Sequence, residues 1–353
     1  MSRPSLEQPF VEGSLETPGG TVPRISSSLT VCDHWGSIKA RWGVGRMHYA
    51  LDPGLYALGS PDSKSPVLVT ANYKMSFDRL RTVLPQYDAW ILVLDTKGIN
   101  VWCAAGKGTF GTEELVQRIK ASRLEQVVSH RELILPQLAG PGIAAHEVKK
   151  LSGFKVLYGP IEAKDIPAFI EAGLKATPGM RKKTFDAGER TVLIPVELVE
   201  AFKGILLILP IFIFLGGIGG SGGYWSNVMS HGLLTVMALL GALVAGAILT
   251  PLLLPWLPGR AFSLKGLWVA LIMTAILVAL RFEELGHWSG RLEMLAWVLL
   301  IPALATYLAM NFTGASTYTS LSGVRKEMRY ALPIQISTGV LGVLLWIGSR
   351  FAA

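Results

Sequence analysis

Ile99-Asn100-Val101-Trp102-Cys103-Ala104-Ala105-Gly106-Lys107-Gly108-Thr109-Phe110-Gly111-Thr112 is the stretch on which the fold turns. Its apolar start, Ile99–Ala104, reads as a strand and its glycines as a turn. Thr112 reads as the N-cap of a helix that carries Glu113 and Glu114 in its first turn. The same alternation recurs on both sides. Strand-like apolar runs stand at Pro66–Ala71, Ala89–Leu94, Glu132–Leu135 and Lys155–Tyr158. Helix-like segments fall at Ser76–Leu84, Thr112–Ser122, Gly142–Leu151 and Lys164–Ala172. Strands alternating with helices predict a Rossmann-like α/β domain with a largely parallel sheet, whose ligands gather at the carboxyl ends of the strands. Residues 1–24, polar and rich in Gly and Pro, read as a flexible tail. From about Ser37 to Tyr49 the pattern around Gly43 and Gly45 reads as a hairpin.

Beyond residue 200 the chain changes character. Of its 353 residues only 16% are charged, well below the roughly 25% of soluble domains. Residues 1–200 hold 24 Lys+Arg and 21 Asp+Glu, whereas 201–353 hold 9 and 4. Five apolar stretches, about 202–219, 232–250, 264–281, 293–311 and 331–349, are each long enough to cross a bilayer. The predicted organisation is a tail (1–24), an α/β domain (25–173), a linker (174–199) and an all-α five-helix transmembrane domain (200–353). Arg260 and Lys265, then Arg325, Lys326 and Arg329, mark the second and fourth loops as internal. That places the soluble domain in the cytoplasm and the C-terminus outside. No apolar leader precedes the domain, so no signal peptide is expected. The basic residues of the first half are interspersed with acids, which argues against nucleic acid; Arg181, Lys182 and Lys183 read as a membrane-proximal patch. Lys203, Arg281, Glu293 and Arg350 fall at span ends and His231 and His287 read as interfacial, so the bundle reads as an anchor rather than an ion-coupled transporter.

Three chemistries compete at Asn100–Thr112. A P-loop fails, because Val101 stands where the first Gly is needed and Gly108 where Ser or Thr would hold magnesium. A dinucleotide site is open, since Gly106, Gly108 and Gly111 fit GxGxxG and Glu132 lies at a ribose-binding distance downstream; this would make the chain a membrane-bound NAD-dependent oxidoreductase. The third centres on Cys103, whose neighbours Ala104, Ala105 and Gly106 let a large flat group approach. A thiolate is both a nucleophile and a soft metal ligand. The other cysteine, Cys32, precedes the α/β pattern and reads as structural. Two cysteines exclude a four-cysteine iron–sulfur or zinc site within one copy.

The run NVWCAAGK, Asn100–Lys107, resembles the defining motif of the mercury-methylating corrinoid proteins, the HgcA family. Pro53–Gly59 (PGLYALG) and Ser65–Tyr73 (SPVLVTANY) are similar to it as well. Both further resemble the corrinoid domain of the acetyl-CoA-pathway corrinoid iron–sulfur protein. The likeness extends along the chain, because a corrinoid-binding α/β domain followed by five membrane helices is that family's architecture. It implies a cobalamin or related corrinoid, with Cys103 as the lower axial ligand of cobalt. It implies methyl transfer from methyl-Co(III) corrinoid to Hg(II), forming methylmercury under anaerobic conditions. Asn100 would orient the loop, Trp102 would pack beneath the ring or into the core, and Lys107 would meet a propionamide or phosphate oxygen. Val101, Ala104, Ala105 and Gly106 complete the motif. Thr70, Ala71, Asn72 and Tyr73 are expected cofactor contacts, as are Gly140 and Gly142 around Pro141, and Tyr158 and Gly159 before Pro160. The family acts with a ferredoxin-like 4Fe–4S protein, HgcB, as electron donor. A methyl donor, either methyltetrahydrofolate or a methyltransferase, is implied too. Alternatives are a corrinoid methyl carrier with another acceptor, the oxidoreductase above, and a non-catalytic docking protein.

Overall fold

The computed structural model describes residues 3–219, 222–314 and 321–352. The chain divides into two compact units, residues 1–40 with 44–183 and residues 41–43 with 184–353.

The first unit is built on a seven-stranded sheet: β1 (Val11–Thr17), β2 (Gly20–Ile25), β3 (Gly54–Leu58), β4 (Val67–Ala71), β5 (Ala89–Leu94), β6 (Glu132–Leu135) and β7 (Lys155–Tyr158). Their spatial order is β1-β2-β3-β5-β4-β6-β7. The strands β5, β4, β6 and β7 run parallel, while β3 joins β5 antiparallel. Every residue of β4 and β5 is buried, as expected of parallel strands covered on both faces. One face carries α2 (Lys74–Thr82), whose Phe77 and Leu80 pack on Leu68, Ile91 and Val93. On the other, Leu115 and Ile119 of helix 112–121 and Val148 of helix 145–152 pack on Val67, Val69, Leu92 and Leu133. The chain passes outward from β4 to β5 and then back across to β6. Right-handed crossovers require the helices to change face at that reversal. The switch point between β4 and β6 is where such sheets bind ligands.

Three expectations are corrected. Ile99–Ala104 is not a strand: Val101–Lys107 forms helix α3. Both edges of β5 are already occupied by β3 and β4, so this apolar run has no ladder to join. It buries Ala104 and Ala105 at helical spacing instead. The expected tail carries β1 and β2, a hairpin with a tight turn at Gly20 (φ 115°). It joins the sheet through Arg24↔Ala57 and Ile25↔Leu58. The hairpin expected near Gly43 is helix α1 (Val31–Arg41) followed by a turn at Arg46–His48. Its start is a reciprocal cap: Asp33 Oδ2 accepts from Thr30 N (2.9 Å) while Thr30 Oγ1 accepts from Asp33 N (3.2 Å).

A buried ion cluster clamps α1 to α2. Lys74 Nζ lies 2.7 Å from Asp33 Oδ1 and from Asp78 Oδ1, and Arg81 reaches Asp33 (2.9 Å) and Asp78 (2.8 Å). Burial pushes the Asp33 carboxyl up. The Lys74 ammonium and the Thr30 donors outweigh it and hold the group well below the usual carboxylate range. A depressed folded pKa contributes stability above the unfolded value, and that contribution fades as pH falls below about 3.9. Asp33→Asn is therefore expected to lose about 3 kcal/mol at neutral pH. The gap to wild type should narrow below pH ~4, read by amide exchange in α1 and α2.

Among the described residues, the second unit has five helices long and apolar enough to cross a membrane: Ala187–Gly216, Tyr224–Leu253, Phe262–Leu280, Trp288–Gly314 and Ser322–Phe351. The first starts earlier than expected, inside the segment read as linker. Asp186 caps it, accepting from Glu189 N at 2.9 Å. Glu293, expected at a span end, is 3% exposed and sits in a cluster. His231 Nδ1 and Arg350 Nη2 each lie 2.9 Å from its Oε2, joining the second, fourth and fifth spans.

Candidate functional site

The carboxyl ends of β4, β5, β6 and β7 share one edge of the sheet, and the expected site residues lie along it. Asn100 caps α3, its Oδ1 accepting from Cys103 N at 2.9 Å. Gly108, in the left-handed conformation at φ 82°, ends the helix, and Phe110 N donates to Ala104 O (3.1 Å). Ala104 and Ala105 are buried in the core and Val101 packs against it. Cys103 and Trp102 are half-buried, while Gly106 and Lys107 are exposed. The short helix is thus anchored by its alanines and keeps its thiol accessible.

The residues at the carboxyl end of β4, expected as cofactor contacts, are packed inward and support the loop that follows β5. Thr70, Ala71, Asn72 and Tyr73 are all buried. Asn72 Oδ1 accepts from Thr96 N (3.0 Å), Thr96 Oγ1 (2.9 Å) and Gly98 N (3.0 Å). It therefore holds the loop that delivers Asn100. Glu114 assists from the next helix, accepting from Asp95 N (2.9 Å) and from Arg118 (2.7 Å). Glu114 and Thr96 were not legible as site supports, since each acts through a contact formed only by the fold.

On the β6 and β7 side, residues Gln137–Gly142 form a turn that packs on α3. An added Cβ at Gly142 would stand 3.0 Å from Ala105 Cα and would also meet Phe110 O, so only glycine permits this approach. The segment after it is held by Ala144 N donating to Thr112 Oγ1 (2.8 Å) and by Tyr158 OH donating to Ile143 O (3.0 Å). Gly159 is buried, with its N–H donated to Leu135 O (2.8 Å). Thr112, expected as an N-cap, is the first helical residue, and Gly111 precedes it. At Gly106, Gly108 and Gly140, by contrast, an added Cβ would meet nothing within 4 Å. These three are free of close neighbours. Gly142→Ala is expected to cost about 1–3 kcal/mol and loosen α3, seen as faster amide exchange at 101–108. Gly106→Ala should leave that exchange unchanged.

Two chemistries can be judged on this geometry. The dinucleotide reading loses its supports: Gly106 lies inside a helix, not in a strand-to-helix turn. Glu132 opens β6 at the opposite edge of the sheet, 3.4 Å from Lys155. As for metals, no group of three His, Cys, Asp or Glu is gathered among the described residues. Cys103 can supply one ligand to a metal whose others come from outside the protein. That donor set, a single thiol, fits a metal carried in a macrocycle.

Residues 45–170 match the family model of the CO dehydrogenase/acetyl-CoA synthase delta subunit. The acetyl-CoA decarbonylase/synthase complex subunit gamma of Methanopyrus kandleri is 33% identical over 123 residues, covering 34% of this chain and 26% of that one. The same subunit from Methanothermobacter thermautotrophicus is 33% identical over 128 residues (36% and 28%). Subunit gamma 2 of Methanosarcina thermophila is 30% identical over 162 residues (45% and 32%). The chain spans about a quarter of the length of the first two curated relatives. The matched family-model segment ends before the first membrane helix. The α/β unit is thus related to the acetyl-CoA-pathway corrinoid protein, as its motifs led one to expect.

Proposed function

We propose that this chain is a membrane-anchored, corrinoid-dependent methyltransferase whose acceptor is Hg(II). The cofactor of its α/β unit is a corrinoid. The observation that carries the reading is Cys103, set half-buried on a short helix capped by Asn100 within NVWCAAGK. When bound, the corrinoid would supply a cobalt-borne methyl group for transfer. Cys103 would hold the cobalt through its thiolate, a charge-donating ligand that would favour release of a methyl group to an electrophile. A neutral imidazole would push less. Asn100 holds Cys103 by its backbone, Asn72 and Glu114 hold the approach to it, and Lys107 offers a cation to a propionamide or phosphate oxygen at the rim.

Regeneration needs low-potential electrons, and two cysteines cannot hold a cluster for them. A separate ferredoxin-like 4Fe–4S protein of the HgcB type is the proposed donor, with methyltetrahydrofolate or a methyltransferase as the methyl source. The five apolar helices support a membrane location; the reading adopted is the cytoplasmic membrane, with the α/β unit inside and the C-terminus outside, from the loop charges. A methyl carrier with a different acceptor is the second reading, favoured by the relation to acetyl-CoA decarbonylase/synthase subunits. The test is a single-turnover anaerobic assay of the full chain in nanodiscs, loaded with a methylated corrinoid and offered Hg(II) or a thiol. Methylmercury as the main product is expected. Transfer to the thiol with none to Hg(II) would overturn the mercury assignment and leave the carrier.

A further inference from the structure

Helix α1 is amphipathic in the reverse sense. Its inner face is Asp33, Gly36, Ser37 and Ala40, seated on the domain by the ion cluster and by Gly36, whose added Cβ would lie 2.7 Å from the Tyr49 ring. Its outer face is Val31, Trp35 and Ile38, which are 84%, 59% and 45% exposed. Trp42, one residue past the helix and 46% exposed, continues the phase. At 3.6 residues per turn these four fall within an arc of about 60°. Exposed Val44 and Met47 extend the patch. Solvent-facing surfaces rarely carry so continuous an apolar stripe without a partner.

The flanks indicate which partner. Lys39 and Arg41 border the stripe on its two sides and Arg46 follows, while Asp33, the lone acid between Val31 and Tyr49, is taken up by Lys74 and Arg81. A protein interface of this size would want about one hydrogen bond per 100–200 Å². The stripe offers only two indole N–H groups. Paired tryptophans, aliphatic neighbours and cationic flanks are the chemistry of a helix lying in the headgroup region of an anionic bilayer. The same chain begins its first apolar helix at Ala187, just beyond the end of the α/β unit at Lys183. Lipid is therefore always at high local concentration. We infer that α1 docks into the anionic membrane surface through Val31, Trp35, Ile38 and Trp42.

Cys32, exposed and on the border of the stripe, supplies a native reporter. A nitroxide on Cys32, in the full chain carrying Cys103→Ser, is compared in phosphatidylcholine nanodiscs with and without phosphatidylglycerol. Its collision rate with a water-soluble nickel chelate is expected to fall several-fold in the anionic discs. Trp35→Glu with Ile38→Glu should restore it, and Lys39→Gln should weaken the protection by roughly fivefold. Water-like accessibility in both lipids overturns the inference. So does equal burial in both, or burial that appears only when a soluble protein is added. The readout needs no corrinoid and no mercury, so it stands apart from the proposed activity.

Discussion

Cys103→Ala is expected to lose methylmercury formation by at least about 100-fold while the protein stays folded. The fold should survive because Cys103 is absent from the core clusters and the cap bond from Asn100 goes to its backbone N–H, which alanine keeps. The anchoring of α3 rests on Ala104 and Ala105. The activity should not survive, since changes one shell removed from a metal already cost about 10–100-fold. Cys103→His sharpens the test. Imidazole remains a ligand but carries no negative charge, so corrinoid binding should persist while transfer to Hg(II) collapses. Asn100→Ala should fall between, losing about 1 kcal/mol of capping. Comparing bound corrinoid with methylmercury yield across the three separates holding the cofactor from directing its chemistry.

Glu293→Ala is the second large effect, and it concerns the bundle. The substitution strips Arg350, 6% exposed, of its carboxylate and leaves His231 without its partner. Leaving a buried charge unpaired costs about 3–5 kcal/mol. Double-mutant measurements within membranes run lower, so about 3 kcal/mol is expected. Thermal unfolding of the reconstituted protein should drop accordingly. Glu293→Leu combined with Arg350→Leu removes both charges and should recover most of the loss. If the single and double variants unfold alike, the ion pair is not what joins the spans.

How far the sequence could be read follows from how each element is buried. The strands β5, β6 and β7 were legible residue by residue, because each is a short, mostly apolar run bounded by turn residues, with β5 buried throughout. The run at Ile99–Ala104 looked the same and became loop and helix, because the places beside β5 were already filled. That competition is decided by the whole sheet and leaves no local mark. Strand β1 was hidden by its own composition: VEGSLET is a half-exposed edge with Leu15 as its main apolar contact. Helix α1 was hidden by inversion, since its apolar residues face away from the core and Gly43 and Gly45 mimic a hairpin turn. Its cap, Thr30 with Asp33, is the one local signal of the helix in the sequence.

At the site, the thiol was legible and its scaffold was not. Cys103 stands out in any reading of Asn100–Lys107. Asn72 stands out beside the strand end, but its bonds to Thr96 and Gly98 come only with the fold. Gly142 is required by the backbone of Ala105, a neighbour 37 residues away in sequence. His231 and Glu293 are 62 residues apart and were each read as lying near a membrane surface. In each case the residue type was visible and its partner was not.

The central claim is that Cys103 is the lower axial ligand of a protein-bound corrinoid cobalt. An anaerobic ultraviolet–visible spectrum of the protein reconstituted with cobalamin, wild type beside Cys103→Ala, tests it most directly. A bound corrinoid whose bands shift when Cys103 is lost is the predicted result. Identical spectra in the two proteins, or well-folded wild type that retains no corrinoid, would contradict it.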